Sequence, residues 1–172
     1  MPYEYYNVYF DLLTTAQRDQ LAQERAAAAE REHKEMARIV DDFSPGEQQS
    51  EADHNLAAER STTGTFRDRS YRDARAGGYF AFDLKVLPDT KQLLRCTYWG
   101  EDNGRTFDVM VDGQVLATQT LNHNQRGKFF DVDTPLPADW IKGKTKITIR
   151  LQPAANSTAG GLFRCAVLKS AE

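Results

Sequence analysis

The feature that most constrains the fold is a strict alternation of apolar and polar residues over residues 79–86. A period of two residues is typical of a β-strand with one buried face, because successive side chains point to opposite sides of the strand. The alternation returns in the next two segments. The residues that we expect to face a core are Phe80, Phe82, Leu84, Val86, Leu94, Cys96, Tyr98, Phe107, Val109 and Val111.

A tight turn joins two of these strands. Asp112-Gly113 lies between Val111 and Gln114, and Asp-Gly between two strands predicts a two-residue hairpin, since both turn positions need positive φ. Further alternating segments follow as far as the C-terminus, with apolar residues at every second position of 147–151 and 163–167. About seven short strands at regular spacing predict a mostly β protein, a β-sandwich or jelly roll.

The N-terminal part of the chain has a different pattern of apolar and polar residues. Residues 5–12 alternate with bulky aromatics on both faces, which predicts a strand covered on both sides. A long helix is predicted over 14–42, capped by Thr14 or Thr15, because this stretch has no Gly or Pro and is rich in good helix formers. Its apolar face is thin, which favours a solvated helix, with a coiled-coil dimer as the alternative.

A long polar segment, residues 43–78, precedes the sandwich, which we expect to span 79–172. It combines acidic residues and His54 with a following series of arginines. One interpretation is a site for a polar ligand or a cation, since such sites need several polar groups to converge. The other, which we favour, is a wrapping loop whose charges pair with one another and with the sandwich.

Composition excludes several partners. The formal net charge is −3 and no basic stripe is present, so the electrostatic footprint of a nucleic-acid-binding protein is missing. The apolar runs are too short to span a membrane. We therefore expect neither nucleic acid nor a membrane as a partner, and no cofactor.

The chain has two cysteines, Cys96 and Cys165, each on the apolar face of a predicted strand. Buried free thiols are the favoured interpretation, because free cysteine is among the most buried residue types. A disulfide between them is the alternative. Neither has the spacing of a zinc ligand, so no metal site is predicted from them.

Sugar-binding residues are predicted mainly from aromatic side chains, because flat rings suit sugar faces while polar groups serve the rim. Trp99 is the best single candidate, since it alternates with the core-facing residues and precedes a turn. Together with the polar cluster, the candidate carbohydrate-binding residues are Trp99, Tyr71, Tyr79, Glu51, His54 and Arg72. Asp102, Asn103 and Asp108 offer oxygen atoms for calcium, but solvated turn acids are the favoured interpretation.

Three stretches, PGEQQSEADHN (45–55), YRDARAGGYFAFDLKV (71–86) and TYWGEDNGRTFDVMVDGQVLAT (97–118), resemble the C-terminal region of family-127 glycoside hydrolases, the β-L-arabinofuranosidase-like proteins. The resemblance extends over nearly the whole chain. It implies a galactose-binding-like jelly roll after a helix, with residues 1–13 as the end of a preceding β-domain. In that family, catalysis belongs to an (α/α)₆ barrel with a zinc-bound cysteine, and no residue here matches that constellation.

The resemblance therefore implies a non-catalytic accessory domain of a larger glycoside hydrolase-like protein, and not an enzyme in its own right. Its expected partners are the preceding catalytic barrel and β-domain of the same parent chain, and a plant-type oligosaccharide is a further candidate. The main expected role is structural support of the barrel, and the alternative is a carbohydrate-binding module. We expect a periplasmic or secreted parent protein.

Overall fold

The computed structural model describes residues 14–170, and these form three helices and nine strands. The predicted strand over 5–12 lies outside the described residues. In chain order the elements are α1 (Thr15–Arg38), β1 (Ile39–Phe43), α2 (Gln48–Asp53), β2 (Ala57–Phe66), β3 (Arg69–Lys85), β4 (Gln92–Trp99), β5 (Arg105–Val111), β6 (Gln114–Leu121), β7 (Phe129–Pro135), α3 (Ala138–Ile141), β8 (Lys146–Pro153) and β9 (Ala159–Lys169).

Helix α1 begins with a capping box. The Gln17 backbone N–H donates to Thr14 Oγ1 at 3.2 Å, and the Thr14 backbone N–H donates to Gln17 Oε1 at 2.9 Å, so two otherwise free donors at the helix start are satisfied. No residue of α1 is buried. The helix ends at Arg38, four residues before the predicted end at 42, because β-branched Ile39 and Val40 start β1, in which Ile39 lies opposite Leu168.

The nine strands form one antiparallel hydrogen-bonded network in the order β6-β5-β8-β3-β9-β4-β7, with β1 on β9 and β2 on β3. These strands make the two layers of the sandwich, β6-β5-β8 in one and β9-β4-β7 in the other, and strand β3 belongs to both. Its first half, from Arg72 to Ala74, pairs with β9, and its second half, from Phe80 to Lys85, pairs with β8. The predicted mostly β sandwich fold is confirmed.

The core lies between these layers, and the predicted inward faces are confirmed. Every residue expected from the alternation is buried, at 5% exposure or less. Strands β4 and β9 are buried on their other face as well, because Thr97, Trp99, Ala166 and Leu168 are also buried. The Asp112-Gly113 hairpin has positive φ at both turn positions, 47° and 83°, as the sequence predicts.

The prediction of a wrapping loop over 43–78 is wrong. This segment contains α2, the whole of β2 and more than half of β3. Strands β2 and β3 form a long hairpin, closed at Arg67-Asp68 with positive φ at both positions. The alternation of apolar and polar residues does not predict this hairpin, because β2 is exposed along most of its length and carries few apolar residues. The sandwich therefore starts at β1, well before residue 79.

Candidate functional site

The tip of the β2–β3 hairpin forms one side of a small pocket. The pocket has a volume of about 170 Å³. Strands β2, β3, β4, β5 and β9 and the turn between β4 and β5 all contribute residues to it. The lining residues are Thr65, Phe66, Tyr71, Trp99, Asp102, Arg105, Gly161 and Phe163.

Four aromatic rings make the walls of this pocket and continue into a fifth ring, that of Phe129, behind it. The rings pack in pairs, with centroid separations of 5.0 Å for Phe66–Trp99, 5.0 Å for Trp99–Phe129, 5.3 Å for Tyr71–Phe163 and 4.8 Å for Phe129–Phe163. Edge-to-face and tilted pairs at such distances are favourable beyond the area they bury. The walls are therefore held in place before any ligand arrives.

The aromatic rings differ in how much surface they offer. Phe66 is 39% exposed and Trp99 only 7%. The Arg67 guanidinium carbon lies 4.6 Å from the centroid of the Trp99 ring, a cation–π distance, and Arg67 Nη1 donates to the Gly127 carbonyl at 3.4 Å. Trp99 lies on the face of β4 opposite the core, as the sequence predicts, but that face is not open to solvent. Its ring is covered by Phe66, Arg67 and Phe129, and only a margin of it lines the pocket.

The polar side of the pocket consists of Arg105 and Asp102. Arg105 Nη2 lies 3.4 Å from Asp102 Oδ1, and Arg105 Nη1 lies 3.9 Å from Asp73 Oδ2. The Arg105 side chain makes no hydrogen bond to any described residue, and its Nη1 is buried without a hydrogen-bond partner. A guanidinium carries five donors, so an arginine left in this state requires an explanation.

Burial raises the pKa of Asp102, and the nearby Asp73 carboxylate adds to the increase, while Arg105 opposes it. The proton is therefore held more tightly than on a free aspartate. In its ionised form Asp102 offers carboxylate oxygens that accept hydrogen bonds. The pocket thus combines donors, acceptors and aromatic surface within one small space.

The predicted sugar-binding residues divide into separate places. Trp99 and Tyr71 share the pocket. Glu51 and Arg72 form a bidentate pair, with Arg72 Nε and Nη2 donating to the two Glu51 carboxylate oxygens at 2.9 and 2.8 Å. Both side chains are largely buried and satisfied, and Glu51 Oε1 also accepts from the Gly46 backbone N–H. This pair fastens α2 to β3.

His54 and Tyr79 also lie among the structural contacts of the sandwich. His54 Nδ1 is 2.7 Å from the Ser50 carbonyl, and its Nε2 is 3.6 Å from Asp41 Oδ1. The Tyr79 ring is covered by the Arg150 guanidinium, 3.7 Å from its centroid. The pocket lining includes neither residue, so their predicted role in sugar binding stays a prediction.

Within residues 14–170, the acidic side chains show no arrangement for a metal ion, because no group of three or more His, Cys, Asp or Glu side chains could hold one. Asp108 Oδ1 accepts from Thr118, and Asp83 accepts from Lys146, Thr148 and Asn55. Although burial opposes it, these hydrogen bonds lower the pKa of Asp83, which is therefore a structural carboxylate.

Sequence reasoning missed Phe66, Arg105 and Phe163 as pocket residues. Phe66 lies in the segment that the sequence predicts as a loop, and the alternation over 163–167 predicts that Phe163 faces the core. The available signal was Phe66-Arg67-Asp68-Arg69, an aromatic beside a charged two-residue turn. Reading that turn as a hairpin would have placed Phe66 at an exposed tip.

Comparison with known proteins identifies the family first. The model of the family described as Family of unknown function (DUF6805) matches residues 35–168, so the chain belongs to that family. No curated protein matches the sequence. In the part of the chain that the structure describes, no helix has the length and apolar character needed to cross a membrane.

Solved structures with the same fold include several carbohydrate-binding modules. A family 35 carbohydrate binding module from an environmental isolate has a TM-score of 0.54 at 11% identity, covering 76% of this chain and 98% of that one. The module CBM6cm-2 from Cellvibrio mixtus lichenase 5A, in complex with cellotriose, has a TM-score of 0.52 at 10% identity, covering 77% and 99%.

A third match is CBM35 from Cellvibrio japonicus Abf62, with a TM-score of 0.53 at 9% identity, covering 76% of this chain and 93% of that one. A GH115 4-O-methyl-α-glucuronidase with specificity for decorated arabinogalactans, BtGH115A, also contains the fold, with a TM-score of 0.52 at 11% identity, covering 77% of this chain and 18% of that one. At these identities the matches show a shared fold.

Proposed function

We propose that this domain binds carbohydrate, and that the pocket between the β2–β3 hairpin tip and β9 takes a single sugar ring. The observation that carries the proposal is the meeting of the exposed Phe66 ring and the half-buried Tyr71 ring with an arginine, Arg105, that makes no hydrogen bond to a described residue. Sugar rings present apolar C–H faces and a rim of hydroxyl groups, which match aromatic walls and convergent polar groups respectively.

The size of the pocket supports a ligand of one ring. An apolar cavity of about 150 Å³ holds one benzene molecule, and this pocket has a volume of about 170 Å³. Pockets for larger ligands start at about 300 Å³. One six-membered ring therefore fits, while further sugar units of a chain must lie outside it, where the exposed Phe66 ring stands at the rim.

The charges of the pocket favour a neutral sugar. Asp102 and Arg105 are opposite in sign, and both line the pocket. One accepts and the other donates hydrogen bonds, so neighbouring hydroxyl groups of a ring satisfy both. Because Arg105 gives up no hydrogen bond to a described residue, a hydroxyl that bonds to it gains a charge-assisted contact without displacing an internal one.

A second candidate function is structural support within a longer glycoside hydrolase-like chain, as the family-127 resemblance implies. The observation that favours it is that the fold covers only 18% of the GH115 glucuronidase, so such a domain occurs as a small part of a long enzyme. In this arrangement the preceding barrel and β-domain are the partners. A parent protein that acts on plant-type oligosaccharides would unite the two roles.

Titration calorimetry tests carbohydrate binding, with neutral monosaccharides and with arabinose- and galactose-containing oligosaccharides as ligands. We expect binding in the millimolar range or tighter, and a loss of affinity of about fivefold in Phe66→Ala, because one stacking surface of roughly 1 kcal/mol is removed. Phe66 is already exposed, so the fold should be unchanged.

The matched control is Val115→Ala, which removes another exposed apolar side chain, 50% exposed on β6 and absent from the pocket lining. It should bind like the parent chain. Absence of binding at millimolar sugar, or equal affinity of the Phe66 variant and the parent chain, would overturn the proposal and leave structural support as the function to pursue.

A further inference from the structure

The two cysteines meet in the core, on neighbouring strands. Cys96 on β4 lies directly opposite Cys165 on β9 in the antiparallel register, and their Sγ atoms are 3.6 Å apart. Both are buried free thiols, as the favoured sequence interpretation predicts. These are the only cysteines of the chain, and sixty-nine positions separate them along the sequence.

This placement fits the geometric requirements of a disulfide. Residues directly opposite in an antiparallel pair have Cα atoms about 4.5–5.5 Å apart, which lies inside the range of about 4.4–6.8 Å found across disulfides. The two sulfur atoms already face each other in contact. Closing the bond therefore needs side-chain rotation and small backbone adjustments, and no strand must change register.

We propose that Cys96 and Cys165 are a site of covalent cross-linking, forming a disulfide between β4 and β9 when the chain folds in an oxidising compartment. The reaction is exchange with a small-molecule disulfide such as oxidised glutathione. One cysteine thiolate attacks it and releases one reduced glutathione, and the second cysteine thiolate then attacks the mixed disulfide and releases the other. Two thiols are oxidised, and one glutathione disulfide is reduced to two thiols.

The exchange takes place before the core closes. Burial raises the pKa of Cys165 well above its ordinary value, and a buried thiol is both scarce as thiolate and out of reach of an oxidant. The same burial protects the bond once it has formed. In a reducing compartment the pair stays as the two packed thiols that the structure shows.

The cross-link joins the two strands that carry the aromatic wall of the pocket. Trp99 follows Cys96 by three residues on β4, and Phe163 precedes Cys165 by two residues on β9. The disulfide would thus fix the spacing of these strands near the pocket. The inference does not depend on carbohydrate binding, because it follows from the sulfur positions alone.

The test is refolding of the full chain from denaturant in two buffers, one with a glutathione redox pair and one with reductant. In the redox buffer we expect a monomer lighter by two hydrogen atoms, with no free thiol when titrated in denaturant. Its Tm should exceed that of the reduced chain by about 5–15 °C, the shift expected when a disulfide closes a long loop in a domain of this size. Reduction in denaturant, followed by refolding with reductant present, should abolish the increase.

Cys96→Ala and Cys165→Ala, refolded in the same redox buffer, are the controls. Each should keep one cysteine without an intramolecular disulfide, and its Tm should not respond to reductant. The proposal is overturned if the parent chain refolds in the redox buffer with both thiols free or capped by glutathione, or if the cross-linked monomer melts at or below the Tm of the reduced chain.

Discussion

Two regions of the sandwich carry the residue types that a sugar site needs, and they use them in opposite ways. Around α2, Glu51 and Arg72 hold each other through two hydrogen bonds of 2.9 and 2.8 Å. In the pocket beside the β2–β3 hairpin, Arg105 meets its two carboxylates only at 3.4 and 3.9 Å and makes no hydrogen bond to a described residue. Arg72 thus makes hydrogen bonds within the fold, whereas Arg105 makes none to a described residue.

The comparison teaches that binding capacity lies in unused hydrogen-bonding groups and not in the number of polar residues. Three other arginines in the described residues, Arg72, Arg95 and Arg164, make bidentate bonds to carboxylates. Such pairs hold strands together. Arg105 differs from them because its surroundings are aromatic and its carboxylates lie at 3.4 and 3.9 Å, so the fold leaves its side chain without a hydrogen bond to a described residue.

The largest effect that we expect concerns the Glu51–Arg72 pair. Glu51→Ala should lower the free energy of unfolding by about 3 kcal/mol, because it leaves the Arg72 guanidinium in a largely buried place without its partner. Urea denaturation measures it. The comparison predicts that sugar affinity does not change, since neither residue lines the pocket.

Glu47→Ala serves as the control for this variant. Glu47 is exposed and its side chain makes no capping bond to α2, so its loss should change stability by less than about 0.5 kcal/mol. If Glu51→Ala reduced sugar affinity while stability stayed the same, the distinction between the two regions would fail.

Arg105→Gln should reduce affinity by about tenfold or more and lower stability by less than Glu51→Ala does, since Asp102 and Asp73 lose only ion pairs at 3.4 and 3.9 Å. The variant loses donors that only a ligand uses, each charge-assisted bond contributing about 1.5–3 kcal/mol, and it loses no internal hydrogen bond. Calorimetric titration and urea denaturation measure the two quantities on the same protein.

The matched control for Arg105 is Arg164→Gln. Arg164 makes two bonds to Asp42, at 2.8 and 2.7 Å, and does not line the pocket. It should lose stability and keep its affinity. Full affinity in Arg105→Gln would show that the unused guanidinium has no part in binding.

The core of the sandwich could be predicted from the sequence, and the pocket only in part. Phe80, Phe82 and Leu84 alternate with polar residues, and burial of one face of a strand dictates that pattern. Strand β2 has no such pattern, because it is an exposed strand that is held by its pairing with β3. The sequence therefore predicts a loop at the tip of β2, where Phe66 lies.

Trp99 illustrates the limit of the alternation rule. The alternation predicts Trp99 on the face opposite the core because its neighbour Tyr98 faces the core, and Tyr98 is indeed buried. The rule assumes that the second face of a strand meets solvent, whereas the β2–β3 hairpin tip folds over β4 and places Phe66 and Arg67 against Trp99. Contacts between residues distant in the chain decide which face is covered, and a local period does not record them.

The smallest effect that we expect is a dependence of sugar affinity on pH, through Asp102. Its pKa in the folded chain is raised above the ordinary value of 3.8, mainly by burial. The folded protein therefore binds this proton more tightly than the unfolded chain does, and the ionised form costs some stability once the pH exceeds 3.8. Protonation turns one of the two oxygens into an O–H donor, so the ionised carboxylate is the better hydrogen-bond acceptor.

Affinity for a neutral sugar should accordingly fall a few-fold as the pH decreases through the raised pKa of Asp102. Calorimetric titrations at several pH values above the acid unfolding transition measure this. Asp102→Asn should bind more weakly than the ionised parent chain and show no such decrease, because its amide does not titrate; Arg105 and Asp73 are the charged groups closest to it. If sugar affinity depended on pH in the same way in both proteins, the sugar hydroxyls would lie away from Asp102. The aromatic walls and Arg105 would then be the remaining contacts of the sugar.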